Sequence, residues 1–151
     1  MIIGCRLAGV RAGRVSRIHQ VTAEQNGARG IELGFGSEAE ISHCIANLNG
    51  SDGIRTNGST VSHCRSNSNG GEGISAQSGA VIHCVSTENF SNGIDILGGA
   101  ISHSVSRQNG SDGISGGTVV AFCLASGNNR RNNGSTDIDS GNARTGNSPA
   151  P

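Results

Sequence analysis

A histidine recurs every twenty residues in the middle of this chain, and in three of four cases a cysteine follows it. The segments ISHC, VSHC, VIHC and ISHS carry His43, His63, His83 and His103. Imidazole and thiolate are ligands that transition metals prefer, and a row of imidazoles gains positive charge and repels itself below about pH 6. Stacked structural repeats also place identical residues in rows. Because a row does not converge on one point as metal ligands do, the pattern favours a structural ladder, with a metal site as the alternative.

Acidic residues stand directly before a Gly-Ile pair at Asp52, Glu72 and Asp112. Carboxylates stacked on one turn supply the oxygen ligands that calcium prefers, so Asp52 and Glu72 are candidate calcium ligands. Asp-Gly is also an ordinary turn sequence. We therefore expect no cofactor and keep calcium as the alternative.

Asp95 is the candidate for a catalytic carboxylate. It lies between Ile94 and Ile96, and alternate side chains of a strand point to opposite faces. With the isoleucines in the core, Asp95 projects outward. The same outward face then carries Glu32, Arg55 and Ser75.

The elements that position these residues follow from an internal repeat. An asparagine marks each unit: Asn26, Asn49, Asn69, Asn89, Asn109 and Asn128. A branched aliphatic residue stands eight positions before each asparagine, and a Gly-Ile pair begins four positions after each of the first five. Apolar or small residues two apart indicate short strands, and the Asn-Gly, Ser-Gly and Gly-Gly pairs between them indicate bends.

Such units cannot bury their own inward side chains, so successive units must stack as parallel coils. A narrow core explains why the chain has no Trp or Tyr. Asparagines at the same bend of each coil are expected to form a hydrogen-bonded ladder. Cys44, Cys64 and Cys84 would point inward side by side, a geometry that forms disulfides poorly, so we predict buried free thiols.

The repeat aliphatic-x-x-Cys-x-small-x-x-Asn-x-x-x-Gly-Ile, strongest from Ile18 to Gly127, resembles the right-handed parallel β-helix of the pectate-lyase-like superfamily. The segment FCLASGNNRRNNGSTDIDSGNARTGNSP is similar to the closing coil of repeat-only bacterial β-helix proteins of unassigned function. The resemblance implies an all-β solenoid of about six coils. An excursion of about five residues is expected within 129–136.

One domain is predicted over residues 1–139, with 1–17 as a degenerate first coil in which Cys5 and Leu7 face inward. Residues 140–151 are predicted to form a polar C-terminal tail.

The signatures of the family's enzymes are missing from the chain. It has no Arg-x-Pro-x-x-Arg of pectate lyases, no Gly-His-Gly with paired aspartates of polygalacturonases and no Tyr-Gly-Phe-Asp-Pro-His of mannuronan epimerases. It also contains no lysine to act as a base. We therefore expect a non-catalytic scaffold or recognition module that presents a surface to a polysaccharide or a protein. The alternative is a reduced carbohydrate-active enzyme, of the polysaccharide lyase or hydrolase kind, that uses outward carboxylates.

An outward position next to the cysteines is apolar, with Ile45, Val85, Val105 and Leu124 in one row. Aliphatic side chains that face water in a row indicate a covered surface, so we predict an interface and a homo-oligomer. The alternative is that the inward and outward assignment is shifted by one residue.

Charge and hydropathy exclude other classes. With 11 basic and 11 acidic residues and few aromatic residues, nucleic-acid binding is not expected. No run approaches the roughly 20 apolar residues of a membrane span. MIIGC lacks the charged and apolar regions that precede a lipoprotein cleavage site, so no signal peptide is predicted in this chain, and its localisation is left open.

Overall fold

The computed structural model describes residues 1–13, 16–34, 39–131, 134 and 136–139, together with the backbone of two strands at 143–145 and 148–149. All regular secondary structure in these residues is β, which confirms the predicted class. The strands are two to four residues long. Their bounds in chain order are β1 (Ile2–Ile3), β2 (Val10–Ala12), β3 (Arg17–His19), β4 (Thr22–Glu24), β5 (Ile31–Leu33), β6 (Glu40–Ser42), β7 (Ile45–Asn47), β8 (Ile54–Thr56), β9 (Ser59–Ser62), β10 (Arg65–Asn67), β11 (Ile74–Ala76), β12 (Gly79–Ile82), β13 (Val85–Thr87), β14 (Ile94–Ile96), β15 (Ala100–Ser102), β16 (Val105–Arg107), β17 (Ile114–Gly116), β18 (Val119–Ala121), β19 (Leu124–Ser126), β20 (Ile138–Asp139), β21 (Ala143–Thr145) and β22 (Ser148–Pro149).

Every third strand belongs to the same sheet, and all pairings are parallel. The first sheet has the order β1-β4-β7-β10-β13-β16-β19-β22, the second β2-β5-β8-β11-β14-β17-β20, and the third β3-β6-β9-β12-β15-β18-β21. One circuit through the third, first and second sheets is a coil. The chain is thus a parallel β-solenoid of about six coils of about twenty residues, as predicted.

The core is a narrow column of aligned side chains. Ile54, Ile74, Ile94 and Ile114 pair in register along the second sheet, and each is fully buried. Each strand alternates inward and outward residues, so a single coil buries only a few apolar side chains. Stacking gives each of these side chains neighbours above and below, and the removal of apolar area from water stabilises the column.

One residue with a positive φ turns the chain at each of two bends. Between the third and first sheets these residues are Gln20, His43, His63, His83, His103 and Phe122, and directly after the first sheet they are Gln25, Leu48, Ser68, Glu88 and Gln108. Histidine is enriched in this left-handed region compared with most non-glycine residues. The histidine row therefore occupies a position that the fold itself requires.

The predicted asparagine ladder is confirmed. At each step, Oδ1 of one asparagine accepts hydrogen bonds of 2.9–3.2 Å from the backbone N–H and the Nδ2 of the asparagine one coil earlier. The amides of Asn26 through Asn109 are buried, so these bonds satisfy polar groups that would otherwise destabilise the interior. Asp137 ends the ladder, because its Oδ1 accepts both donors of Asn128 at 3.1 and 2.7 Å.

The ends of the solenoid depart from the repeat. Ile138 pairs with Ile114 ten residues after Asn128 instead of five, which confirms the excursion within 129–136. In the first coil, Leu7 is 74% exposed, so its predicted inward position is wrong. In the described residues of that coil, Leu7 lies between the short strands β1 and β2 and belongs to neither, so the strand register does not direct it inward.

The predicted domain boundaries, 1–139 and 140–151, stay predictions. Within the predicted tail, the backbone of β21 and β22 pairs with β18 and β19, and the other residues of that segment lie outside the described part. None of the described residues forms a helix of the length and hydropathy that crossing a membrane requires.

Candidate functional site

The four predicted histidines form a stacked column on an outer edge of the solenoid. Neighbouring ring centroids of His43, His63, His83 and His103 lie 4.9–5.0 Å apart, with interplanar angles of 5–26°. The exposed ring of Phe122 continues the column 5.1 Å beyond His103.

This column is poorly shaped for a metal ion. Two imidazole nitrogens that bind one zinc ion are at most about 4.2 Å apart, since each Zn–N bond is about 2.1 Å. The ring centroids lie 4.9–5.0 Å apart, and rings stacked face to face direct their nitrogens outward along the ring planes rather than towards a shared point. Within the described part of the chain, no three His, Cys, Asp or Glu residues are grouped so as to hold a metal ion. The geometry favours stacking over chelation.

The cysteine column confirms the prediction of buried free thiols. The Cys44 Sγ donates to the Ser42 carbonyl at 3.2 Å, and the Cys64 Sγ donates to the Ser62 carbonyl at the same distance. Ser104 takes the next place in the column and accepts a hydrogen bond of 3.2 Å from the backbone N–H of Cys84. Burial raises the pKa of the Cys123 thiol. A hydrogen bond with Cys64 instead lowers the pKa of the Cys84 thiol. All four of these thiols are buried and fill space in the core.

Among the described residues, most ion pairs lie on the outer face of the second sheet and on the turn before it. The N-terminal part of this face, the balanced half, consists of Arg11, Arg29, Glu32, Asp52 and Arg55. Arg29 lies 2.8 Å from Glu32 and 3.4 Å from Asp52, and Arg55 lies 3.4 Å from Asp52. Arg11 lies 3.6 Å from Glu32. Each carboxylate in this half therefore has two guanidinium neighbours.

Asp52, a candidate ligand in the calcium alternative, makes contacts that favour a structural role. Its Oδ2 faces the two arginines, and its Oδ1 accepts a hydrogen bond of 3.2 Å from the backbone N–H of Glu72. The equivalent bond recurs where Asn92 Oδ1 accepts from the N–H of Asp112 at 3.0 Å. Asp52 thus takes part in a turn ladder, and both of its oxygens are already occupied by donors.

The C-terminal part of the same face, the acidic half, consists of Glu72, Asp95, Asp112 and Asp139. As predicted, Asp95 projects outward between the buried Ile94 and Ile96. No arginine of the described residues forms an ion pair with this half. The acidic half therefore has no cation to neutralise it within the described residues.

Glu72 and Asp95 form a carboxyl pair that sequence reasoning missed. Burial, together with the charges of Asp95 and Asp52, raises the pKa of Glu72 to about 7, although a hydrogen bond from Ser75 opposes the rise. Burial also raises the pKa of Asp95, while hydrogen bonds from Ser115 and Glu72 oppose that rise. In physical terms, a protonated Glu72 donates to the Asp95 carboxylate. The pair therefore retains a proton near neutral pH.

The apolar row lies on the outer face of the first sheet. Ile45, Val85, Val105 and Leu124 are half-buried, whereas their inward neighbours Cys44 and Ala46 are fully buried. The inward and outward assignment is therefore correct, and the alternative of a one-residue shift is wrong. Ile45, Arg65 and Val85 line a shallow groove of about 320 Å³.

A second group that sequence reasoning missed lies at the bend after the first sheet. The Arg131 guanidinium lies 4.1 Å from the centre of the Phe90 ring. One feature of the sequence could have revealed this group: Phe90 directly follows the ladder residue Asn89, at a position where four other units have glycine.

Comparisons with known proteins agree with this architecture. The family model described as right-handed beta helix region matches residues 2–133. No curated protein sequence matches the chain. Among solved structures, the pectate lyase Pel9A superposes with a TM-score of 0.75 and 17% identity, covering 84% of this chain and 42% of the enzyme. The periplasmic alginate epimerase AlgG superposes with a TM-score of 0.62 and 17% identity, covering 99% of this chain and 38% of the epimerase.

Similarity at 17% identity shows a shared fold. The chain spans about two fifths of the length of each of these structures. The fold itself hosts several unrelated activities, so function depends on the site residues of this chain.

Proposed function

The chain belongs to the right-handed β-helix family, and on that premise we propose that it is a non-catalytic scaffold or recognition module. It presents a surface to a polysaccharide or protein partner, and it associates with itself through the outer face of the first sheet. The observation that supports this proposal is the outward row of Ile45, Val85, Val105 and Leu124.

Aliphatic side chains are unfavourable on a sheet face that meets only water, and they gain about 25 cal/mol for each Å² of apolar area that a partner covers. A second copy can cover the row with its own, because rows of equal spacing are self-complementary about a two-fold axis. Arg65 interrupts the row and leaves the face only partly apolar.

The test is the oligomeric state of a Val85→Arg variant, measured by sedimentation across a hundredfold range of concentration. The fold tolerates arginine in this row, since Arg65 is the in-register neighbour of Val85. We expect wild-type protein to associate and the variant to remain a folded monomer, with the melting temperature that wild type has at dilutions where it is monomeric. Thr60→Arg, at an exposed position of the third sheet, should associate like wild type. A wild-type protein that stays monomeric contradicts self-association.

A second function is favoured by the Glu72–Asp95 pair. Carbohydrate-active enzymes use a protonated carboxyl as general acid and an ionised carboxylate as base, and a carboxyl pKa of about 7 suits a general acid at neutral pH. The chain would then be a reduced polysaccharide-active enzyme with Asp95 as the base.

The two functions give different results with uronate oligomers. The enzyme hypothesis expects cleaved or unsaturated products at neutral pH, and their loss in both Asp95→Asn and Glu72→Gln. The scaffold hypothesis expects no turnover. Chromatography of the oligomers after incubation decides between the two hypotheses.

A further inference from the structure

Phe90 breaks the repeat at a position that favours glycine. The residue after the ladder asparagine is Gly27, Gly50, Gly70 or Gly110 in other coils. A Cβ on Gly70 would collide with the carbonyl of Gly50, so glycine lets the coils approach closely there. Phe90 keeps the same backbone bond, from its N–H to the Asn69 carbonyl at 2.9 Å. Its ring is nevertheless 57% exposed, so it adds little to the core.

The excursion after Asn128 meets the solenoid at the same place. The backbone N–H groups of Arg130 and Arg131 donate to the carbonyls of Asn109 and Gly110, each at 3.1 Å. These bonds fix the start of the excursion against the coil below. They place the Arg131 guanidinium over the Phe90 ring, 4.1 Å from its centre. Two separate departures from the repeat thus converge on one spot.

The charges at this spot favour an anion. The five N–H donors of a guanidinium lie in its own plane. When that plane stacks on an aromatic ring, the donors point away from the stack and can bind another group. No carboxylate of the described residues forms an ion pair with Arg130 or Arg131. The Arg130 Nη1 donates to the Gln108 carbonyl at 3.3 Å. Glu88 lies on the rim and accepts a hydrogen bond from the Ser68 hydroxyl at 3.3 Å.

Phe90, Glu88, Arg130 and Arg131 line a cavity of about 450 Å³, which we call the Phe90 pocket. The geometry points to a binding site for an oxyanion carried on a ring with an apolar face. The ring of the ligand packs against the part of Phe90 that Arg131 leaves exposed. The carboxylate or sulfate of the ligand accepts hydrogen bonds from Arg130 and Arg131. Acidic sugars and aromatic acids share this chemistry. The site is separate from the first-sheet row and does not depend on the proposed self-association.

The experiment is ligand-observed NMR titration of the full chain with glucuronate and with benzoate, against glucose and benzyl alcohol as neutral counterparts. We expect at least one acid to bind in the millimolar range and its neutral counterpart to bind at least about tenfold more weakly, because charge-assisted hydrogen bonds are lost. Binding of glucuronate alone identifies acidic sugars as the source, and binding of benzoate alone identifies aromatic acids.

Variants assign the binding to the pocket. Phe90→Gly restores the residue of the neighbouring coils and should keep the fold while weakening binding about fivefold. Arg131→Gln should weaken it about tenfold. Leu97→Ser removes an apolar side chain that is 77% exposed on another turn, and should bind like wild type. The proposal is overturned if neither acid shows binding at a ligand concentration tenfold above about 1 mM. It is also overturned if the neutral counterparts bind as tightly as the acids, or if Phe90→Gly and Arg131→Gln bind the acids like wild type.

Discussion

The balanced half and the acidic half occupy equivalent positions on successive coils, yet they manage charge in opposite ways. In the balanced half, Glu32 and Asp52 each lie between two arginines. In the acidic half, Glu72 and Asp95 have no such neighbours among the described residues, and both carboxyl pKa values are raised. Since the backbone is the same, the difference comes from the side chains that the repeat places one coil apart.

The comparison shows what a stacked coil imposes on ionisable groups. Parallel strands are about 4.8 Å apart, so a charge at one position always has neighbours at close range above and below. Unlike charges at that spacing neutralise one another. Like charges at that spacing favour protonation of one of them. In the acidic half this repulsion adds to burial, which is the larger cause of the raised pKa of Glu72 and of Asp95, so this half can hold and release a proton near neutral pH.

Reversal of one charge in the balanced half should have the largest effect. Arg29→Glu removes two ion pairs and places a third carboxylate between Glu32 and Asp52. We expect the free energy of unfolding to fall by roughly 2 kcal/mol at low salt, measured by denaturant titration. Arg107→Glu makes the same charge change at an exposed position and should have little effect. Equal losses in the two variants would show that net charge, rather than the pairing, determines stability.

The acidic half should make stability depend on pH. In the unfolded chain Glu72 ionises near its ordinary value of 4.5, whereas in the folded protein its pKa is about 7. Between these values the folded state binds more protons, so rising pH favours unfolding. We expect the free energy of unfolding to fall as pH rises from about 4.5 to about 7.

Glu72→Gln tests whether Glu72 is the group that causes this pH dependence. Because the variant lacks the titrating carboxyl, its free energy of unfolding should fall less between pH 4.5 and about 7 than that of wild type. Glu40→Gln, which removes a carboxylate on the third sheet, should retain it. If Glu72→Gln shows the same pH dependence as wild type, the proton is held elsewhere.

The interaction within the pair should be visible in the titration of Glu72 itself. Asp95→Asn removes a neighbouring negative charge, so the pKa of Glu72 should fall from about 7 towards 4.5. Ser75→Ala removes a hydrogen bond that lowers the same pKa, so it should shift in the opposite direction. NMR titration of the side-chain carboxyl carbon measures both shifts. Shifts of the same sign in the two variants would contradict the pairing.

The period of the sequence predicted the features that depend only on position within a coil. Inward Ile94 and Ile96, outward Asp95 and Ile45, and the Asn26 to Asn128 ladder all follow from a register that repeats in each unit. Stacking copies that register, so one correctly assigned coil determines the rest.

Contacts between different positions could not be predicted in this way. Glu72 lies on a turn and Asp95 on the strand of the next coil, so their meeting depends on side-chain direction and not on the period. The contact between Phe90 and Arg131 depends on the path of an excursion that has no counterpart in the other coils. Leu7 lies in a coil too irregular for the register to apply.

The smallest effect is expected from Arg11, at the outer end of the balanced half. Its side chain is 78% exposed and 3.6 Å from Glu32, so solvent and side-chain entropy offset most of the attraction. Arg11→Gln should lower the free energy of unfolding by less than about 0.5 kcal/mol.

Denaturant titration of Arg11→Gln, run beside that of Arg29→Glu, measures this loss of unfolding free energy. Its size separates two explanations of how the balanced half is neutralised. If Arg29 is the important partner, Glu32 remains neutralised at 2.8 Å when Arg11 is removed. If instead the whole row of alternating charges acts together, removal of its end should affect Glu32 and Asp52 and lower stability by as much as an interior change. A loss in Arg11→Gln close to that in Arg29→Glu would favour the second explanation, and neutralisation would then be a property of the row and not of individual pairs.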